Sequence, residues 1–214
     1  MTISIEQAHA WYASADPVHD FEHVLRVYRL AEKIALAEGA DLEIVRAAAL
    51  LHDSVGSAPG GDGQERLGHH LTSARFAGEV LSVENWQPER VEAVQHCIRA
   101  HRFRHQGERP QTLEAMCLYD ADKLDVLGAI GAARTIAFAA LAGQPFYYEP
   151  SERFLREGKT EPDEPHSSYH EYLYKLCKVK DHLFTATGKA IADQRHKFLA
   201  DFYAQLQAEC RGER

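Results

Sequence analysis

Two histidines and two aspartates in this chain have the types and positions that suit a bound metal ion. They are His23, His52, Asp53 and Asp122. Imidazole nitrogens combined with carboxylate oxygens form a ligand set that Mn, Fe, Co, Ni and Zn accept, and four protein ligands leave positions for water and substrate. A metal held this way can activate water for hydrolysis. These residues therefore predict a hydrolytic metal centre.

Helical spacing turns these side chains toward the protein interior. His23 is in register with Val27 and Ile34, which is the spacing of one helix face. His52 and Asp122 are in register with apolar residues of their own predicted helices in the same way. A single inward histidine is more often a hydrogen-bonded core residue than a ligand, but buried carboxylates beside two histidines need a cation. The combination favours metal binding.

Two long segments carry a resemblance to a known family. HDFEHVLRVYRLAEKIALAEGADLEIVRAAALLHD, followed by YDADKLDVLGAIGAART, resembles the HD superfamily of metal-dependent phosphohydrolases, with the pattern H…HD…D. The resemblance places the metal ligands on His23, His52, Asp53 and Asp122. It continues into ATGKAIADQRHKFL, which is similar to a subgroup of predicted HD hydrolases. It implies an all-α HD-domain helical bundle and a divalent metal cofactor (Mn, Mg, Co, Ni, Fe or Zn), with the identity of the metal and the number of ions, one or two, left open.

The resemblance also implies an activity. It indicates a phosphohydrolase that acts on a nucleotide or a related phosphate ester or pyrophosphate, by attack of a metal-bound water that Asp53 orients. Hydrolysis of a monoester, a cyclic diester or a pyrophosphate bond stays open, because the ligand set does not separate them. Some nucleotidase-like members carry an acidic residue soon after the His-Asp pair. This chain departs from them, with Ser54, Val55 and Gly56 in those places.

Three further residues are candidates for the reaction. His101 is a candidate catalytic residue that moves protons without binding the metal. Lys123 and Arg134 follow Asp122 and suit contacts to a substrate phosphate, with Lys123 also a catalytic candidate. The alternative for each cation is an ordinary ion pair, for example Lys123 with Asp125.

Two functions other than phosphate hydrolysis are compatible with the sequence. A two-iron oxygenase of the HD type requires additional imidazole ligands, which only His96, His101 or the pair His69 and His70 supply. We expect His69, His70 and His105 to be solvated instead. A sensor that binds a nucleotide or a metal without turnover is the non-enzymatic alternative. The number of bound metal ions separates the oxygenase from the hydrolase.

The sequence pattern predicts that most of the remaining chain is helical. Apolar periodicity and capping residues predict helices at 4–15, 20–38, 42–53, 68–84, 88–103, 112–142, 167–184 and 187–210. Asp20 and Asp41 are the predicted N-caps of the second and third helices. Gly128 and Gly131, within the predicted helix at 112–142, allow close helix contact or a bend. Residues 54–66 and 144–166 read as loops. We expect one HD domain over residues 1–214, with the C-terminal helices 167–210 packed on the same core.

The loop at 144–166 is unusually long for a compact domain. We expect it to be structureless and to close over the substrate, with Tyr147 and Tyr148 stacking on a base. The alternative is that the two tyrosines anchor the loop on the helical bundle.

Composition limits the class of protein. The chain has 214 residues, is 45% hydrophobic and carries a formal net charge of −8, which argues against binding a nucleic-acid polymer. It has no apolar run of about 18 residues and no signal-peptide pattern, so we expect a cytoplasmic protein with no membrane partner. The expected partner is a small phosphate-bearing substrate, and the oligomeric state is open. Four dispersed cysteines form no CxxC pair.

Overall fold

The computed structural model describes residues 3–12, 21–55, 65–102 and 107–214, with the side chains of 65–67 left out. Every regular element in these ranges is a helix, which confirms the all-α class. The elements are α1 (Ile5–His9), α2 (Phe21–Glu38), α3 (Leu42–Leu51), α4 (Glu65–Val83), α5 (Pro88–Ala100), α6 (Leu113–Leu124), α7 (Gly128–Leu141), α8 (Glu152–Glu157), α9 (Ser168–Tyr174), a 3₁₀ helix (Leu176–His182) and α10 (Ala186–Cys210).

The chain divides into two compact units. The first comprises Met1–Asp122 with Phe184–Gly188, and the second comprises Lys123–Leu183 with Lys189–Arg214. The prediction of one domain over residues 1–214 stays a prediction.

Helix α3 lies at the centre of the first unit. It packs against α2 and α5, and α4 packs against α5. Its residues from Ala47 to Leu51 are all buried, as its apolar sequence predicts. Asp41 begins the helix by accepting hydrogen bonds from the backbone N–H groups of Glu43 (3.0 Å) and Ile44 (3.2 Å). Gly39 ends α2 at a φ of +80°, a conformation that favours glycine.

The helix predicted for 112–142 is divided in two. α6 ends at Leu124 and α7 begins at Gly128, whose φ is +71°. A Cβ atom at Gly131 would lie 2.2 Å from the carbonyl oxygen of Val126, so only glycine fits there. The two glycines therefore terminate one helix and start another, which is a larger effect than the expected bend.

The N-terminal helix is shorter than predicted. α1 ends at His9 instead of Ala15, and Ser4 with Gln7 forms its capping box. The predicted N-cap Asp20 and most of the predicted loop 54–66 lie outside the described residues.

The prediction that residues 144–166 are structureless is wrong. The segment contains α8, capped at its start by the Ser151 side chain and ended by Gly158 at a φ of +68°. Glu164 accepts hydrogen bonds from the Ser151 hydroxyl (2.6 Å), the Ser151 backbone N–H (2.7 Å) and His170 Nε2 (2.9 Å). The helix predicted for 167–184 is also divided, at Lys175, into α9 and the 3₁₀ helix.

Among the described residues, no single helix is long and apolar enough to cross a membrane. α6 and α7 pass the same test only together, as a bent pair, by length and composition.

Candidate metal centre

Two imidazoles from different helices meet in the first unit. His23 is the third residue of α2, and His52 is the C-cap of α3. Their Nε2 atoms lie 3.4 Å apart, and both side chains are buried. His52 Nδ1 donates to the carbonyl oxygen of Ala49 at 2.8 Å, so in the neutral ring the lone pair is on Nε2. This is the arrangement by which proteins orient a metal-binding histidine.

Two carboxylates approach the same point. Asp53 Oδ2 lies 3.6 Å from His52 Nε2 and 3.9 Å from His23 Nε2. Asp122, from α6, places Oδ1 3.5 Å from His23 Nε2. All four residues predicted from the sequence are therefore neighbours, although they come from three helices.

The electrostatics of these groups fit a cation. Burial lowers the pKa of His52 to about 4, so its ring is neutral at pH 7. Burial alone would raise the pKa of Asp53, but the neighbouring imidazoles of His52, His101 and His69 hold it well below its usual value. Asp53 is therefore an anion beside a neutral imidazole.

The ligand atoms of these residues fit a divalent metal ion. One ligand atom each from His23, His52 and Asp53 lie within 4.8 Å of one another, and a metal ion can occupy the point between them. The atoms are imidazole nitrogens and carboxylate oxygens, which suits a divalent ion of borderline softness. His23 and Asp122 are close enough for the second carboxylate to join them.

Asp53 also faces a second group of histidines. Its Oδ1 atom lies 3.1 Å from His69 Nε2 and 3.5 Å from His101 Nε2, and the three form another set within 4.8 Å. The side chain of His69 is only 12% exposed, so the expectation that His69 is solvated is wrong. His69 is in α4 and His101 follows α5, so their contact with Asp53 depends on how α4 packs against α5, which no local sequence pattern records.

His69 and His101 differ in the hydrogen-bond partner of Nδ1. His101 Nδ1 donates to the carbonyl oxygen of Ile98 at 2.6 Å, which repeats the pattern of His52. His69 Nδ1 instead lies 2.8 Å from a guanidinium nitrogen of Arg102.

The remaining sequence candidates have other surroundings. His96 pairs with Glu108 at 2.6 Å and accepts from the Gln111 backbone N–H at 3.1 Å, and it belongs to neither metal-binding group. Arg134 donates to Asp125 and so forms an ion pair with it. Lys123 and Arg134 are in the second unit, and their binding of substrate phosphate stays a prediction.

Asp120 is an acidic residue that the sequence analysis did not assign. It is fully buried on α6 and accepts hydrogen bonds from the backbone N–H groups of Phe184 (2.9 Å) and Thr185 (2.8 Å) and from the Thr185 hydroxyl (2.6 Å). Asp120 thus satisfies the backbone N–H groups of Phe184 and Thr185, just before α10. A Cβ atom at Gly188 would collide with the Asp120 carboxylate. Asp120 has a structural role two residues from Asp122.

Tyr12 is another residue that the sequence did not single out. Its hydroxyl donates to the Leu50 carbonyl oxygen at 2.8 Å. Burial, and secondarily the charge of Asp53, raise the pKa of Tyr12 well above its usual value. The phenol therefore stays protonated.

An all-α fold with a His, His-Asp, Asp centre defines a class of protein, and the comparisons identify it. Residues 20–127 match the HD domain family. The chain belongs to the HD domain family, as the sequence predicted.

Relatives cover nearly the whole chain. YpgQ of Bacillus subtilis strain 168 is 31% identical over 214 residues, which is 97% of this chain and 94% of YpgQ. The crystal structure of Bacillus subtilis YpgQ in complex with ADP has a TM-score of 0.72 at 29% identity, covering 96% of this chain and 97% of that one. An HD-superfamily hydrolase of Bacillus thuringiensis has a TM-score of 0.66 at 26% identity, covering 97% and 96%.

Proposed function

We propose that this protein is a metal-dependent phosphohydrolase whose substrate is a nucleotide. The observation that carries the proposal is the convergence of His23, His52, Asp53 and Asp122, with the Nε2 atoms of the two histidines 3.4 Å apart. Partly buried carboxylates and inward imidazole lone pairs are costly unless a cation binds among them.

The four residues would hold one divalent ion. When bound, the ion lowers the pKa of a coordinated water and neutralises charge on phosphoryl oxygens. His52 would contribute Nε2, because its Nδ1 donates to the carbonyl oxygen of Ala49. Asp53 would contribute Oδ2, which faces His23 and His52.

The second carboxylate oxygen of Asp53, Oδ1, lies near His101, the residue that we propose transfers a proton. Asp53 Oδ1 faces His101 Nε2 at 3.5 Å, whereas the other oxygen, Oδ2, faces the His23 and His52 nitrogens. His101 is 2% exposed and its Nδ1 proton is held by Ile98, so Nε2 is the nitrogen that can take up or release a proton. Asp53 therefore orients the attacking water, and His101 moves its proton.

A relative crystallised with a nucleotide supports the proposed substrate class. YpgQ was crystallised with ADP, and the likeness to this chain covers both proteins almost completely. We infer that the substrate here is also a nucleoside phosphate. For a nucleoside triphosphate the bond cleaved determines the products: inorganic phosphate from the terminal position, or pyrophosphate and a nucleoside monophosphate from the bond between the α- and β-phosphates.

The direct test is a substrate screen. Metal-stripped protein is resupplied with Mn, Mg, Co or Ni, and release of phosphate and pyrophosphate from a panel of nucleotides is measured, with His52→Ala as the control. We expect metal-dependent release in the wild type and none in the variant. Tight binding of ADP with no turnover of any nucleotide would favour the non-catalytic sensor.

One observation favours a second candidate function. The group Asp53, His69 and His101 supplies the extra imidazoles that a two-iron oxygenase requires. The two functions differ in how many metal ions each chain holds.

A further inference from the structure

A permanent positive charge lies one side chain away from the carboxylate of Asp53. Asp53 Oδ1 lies 3.1 Å from one ring nitrogen of His69, and the other ring nitrogen of His69 lies 2.8 Å from Arg102 Nη1. One imidazole ring therefore separates the guanidinium of Arg102 from Asp53. Because arginine is always protonated in proteins, this positive charge is present whatever the state of the histidines around it.

Arg102 belongs to a group of nitrogen-bearing side chains on α4 and at the end of α5. The ring centroid of His69 lies 5.9 Å from that of His70 and 5.8 Å from that of His101. His70 Nδ1 is buried and has no hydrogen-bond partner among the described residues. An unsatisfied buried polar atom is rare in a folded protein and indicates a place where a polar ligand or water binds. Together with the charge of Arg102, these nitrogens suit an anionic ligand.

A nucleotide carries more negative charge than one metal ion offsets. A divalent ion neutralises charge on the phosphate that is attacked. In a nucleoside diphosphate the second phosphorus is only two covalent bonds from the first, and its oxygens are also negatively charged. The protein has a formal net charge of −8, so the second phosphate needs a local cation. The planar guanidinium of Arg102 can donate two parallel hydrogen bonds to a phosphate.

We propose that Arg102 is a substrate-binding residue that holds the phosphate next to the one under attack, and so makes the protein prefer nucleotides with linked phosphates to nucleoside monophosphates. The proposal rests on the function proposed above, because it places the reacting phosphate at the metal centre. The structural alternative is that Arg102 only supports the ring of His69 through their contact.

The test is to titrate the Mn²⁺-loaded full-length protein with two ligands and to measure their dissociation constants by calorimetry. One ligand is an ADP analogue with a methylene group between its two phosphates, which resists hydrolysis, and the other is AMP. The wild type should bind the ADP analogue about 10–100-fold tighter than AMP, because hydrogen bonds to charged groups typically contribute that much. Arg102→Met should bind both ligands with similar affinity, and its number of Mn²⁺ ions per chain should be that of the wild type.

Two further variants separate phosphate binding from a general effect on charge or folding. Arg102→Lys keeps the charge without the planar fork, so it should retain only part of the preference for the ADP analogue. This variant also tests the role of Arg102 if circular dichroism shows that Arg102→Met is unfolded. Arg75→Met removes an exposed cation from α4, the helix that carries His69, and should bind both ligands as the wild type does.

The outcomes distinguish failure of this inference from failure of the proposed function. A wild-type preference for the ADP analogue in both Arg102 variants, or an equal loss of affinity for the two ligands, would overturn the role of Arg102. Release of phosphate or pyrophosphate by the wild type, measured separately, would still support the hydrolase. Absence of release from every nucleotide, together with a preference for the ADP analogue that depends on Arg102, would instead overturn hydrolysis and leave the binding role in place.

Discussion

The Nε2 atoms of His23 and His52 lie 3.4 Å apart, although the two residues are 29 positions apart in the chain. Burial makes His52 neutral, and its Nδ1 proton is held by a backbone carbonyl. The facing nitrogen therefore presents a lone pair toward His23. A shared cation would satisfy both rings and the adjacent Asp53 and Asp122 carboxylates.

Asp120 and Asp122 make a matched pair for mutation, since both are aspartates on α6. Asp120→Asn places an amide N–H₂ group opposite the hydrogen-bond donors of Phe184 and Thr185. We therefore expect a loss of about 1–3 kcal/mol in the free energy of unfolding. The variant should still bind the metal. Asp122→Asn should lose metal affinity and activity with little change in the melting temperature of the metal-free protein. Thermal melts and metal titrations of both variants check this. The reverse pattern would mean that the roles have been exchanged.

His101→Ala tests the proton-transfer role. We expect the metal to be retained and kcat to fall by about 10²–10⁴-fold with a smaller change in KM, which is the usual contribution of a positioned acid or base. His96→Ala is the control, because His96 is on the same helix but pairs with Glu108. An unchanged kcat in His101→Ala would remove this residue from the mechanism.

Glu164 gives a prediction for pH dependence. Burial alone would raise its pKa, but hydrogen bonds from His170, Ser151 and the Glu161 backbone lower it to about 2. A carboxylate with a lowered folded-state pKa stabilises the fold above its unfolded pKa of about 4.3, and that contribution is lost as the pH falls toward 2.

Glu164→Gln should therefore melt below the wild type at pH 6, and the gap should shrink as the pH is lowered toward 3. Glu161→Gln, which changes an exposed carboxylate, should show little difference at either pH. A gap that stays constant with pH would show that the charge of Glu164 is not what stabilises the segment.

The two tyrosines of the segment 144–166 have different surroundings. Tyr147 donates to Glu149 and its ring lies 5.2 Å from that of Tyr169, whereas Tyr148 is 43% exposed. We expect Tyr147→Ala to lower the melting temperature, because the ring anchors the segment. If the segment closes over a nucleotide, Tyr148→Ala should raise KM with the melting temperature and metal content unchanged. Unchanged kinetics in Tyr148→Ala would leave the segment a structural element only.

The features predicted from sequence are those encoded locally. The inward faces of α2 and α3 follow from helical period, and Asp41 is a capping residue with a local partner, so both were predictable. The position of His69 depends on how α4 packs against α5, which no local pattern records. α8 has six residues, which is too short for a periodic signal, and its order comes from the hydrogen bonds of Glu164. Periodicity placed Asp122 inward but gave no role to Asp120, whose partners are more than 60 residues away.

The central claim is that His23, His52, Asp53 and Asp122 hold one divalent ion that hydrolysis requires, and metal analysis of Asp53→Ala tests it most directly. Ions per chain are measured in the wild type and in the variant after identical reconstitution, with circular dichroism to verify the helical fold and phosphate release to report activity. We predict one ion and metal-dependent activity in the wild type, and a folded variant with neither, because Asp53 supplies a ligand and orients the attacking water. A folded Asp53→Ala protein with a full complement of metal and wild-type activity would contradict the account.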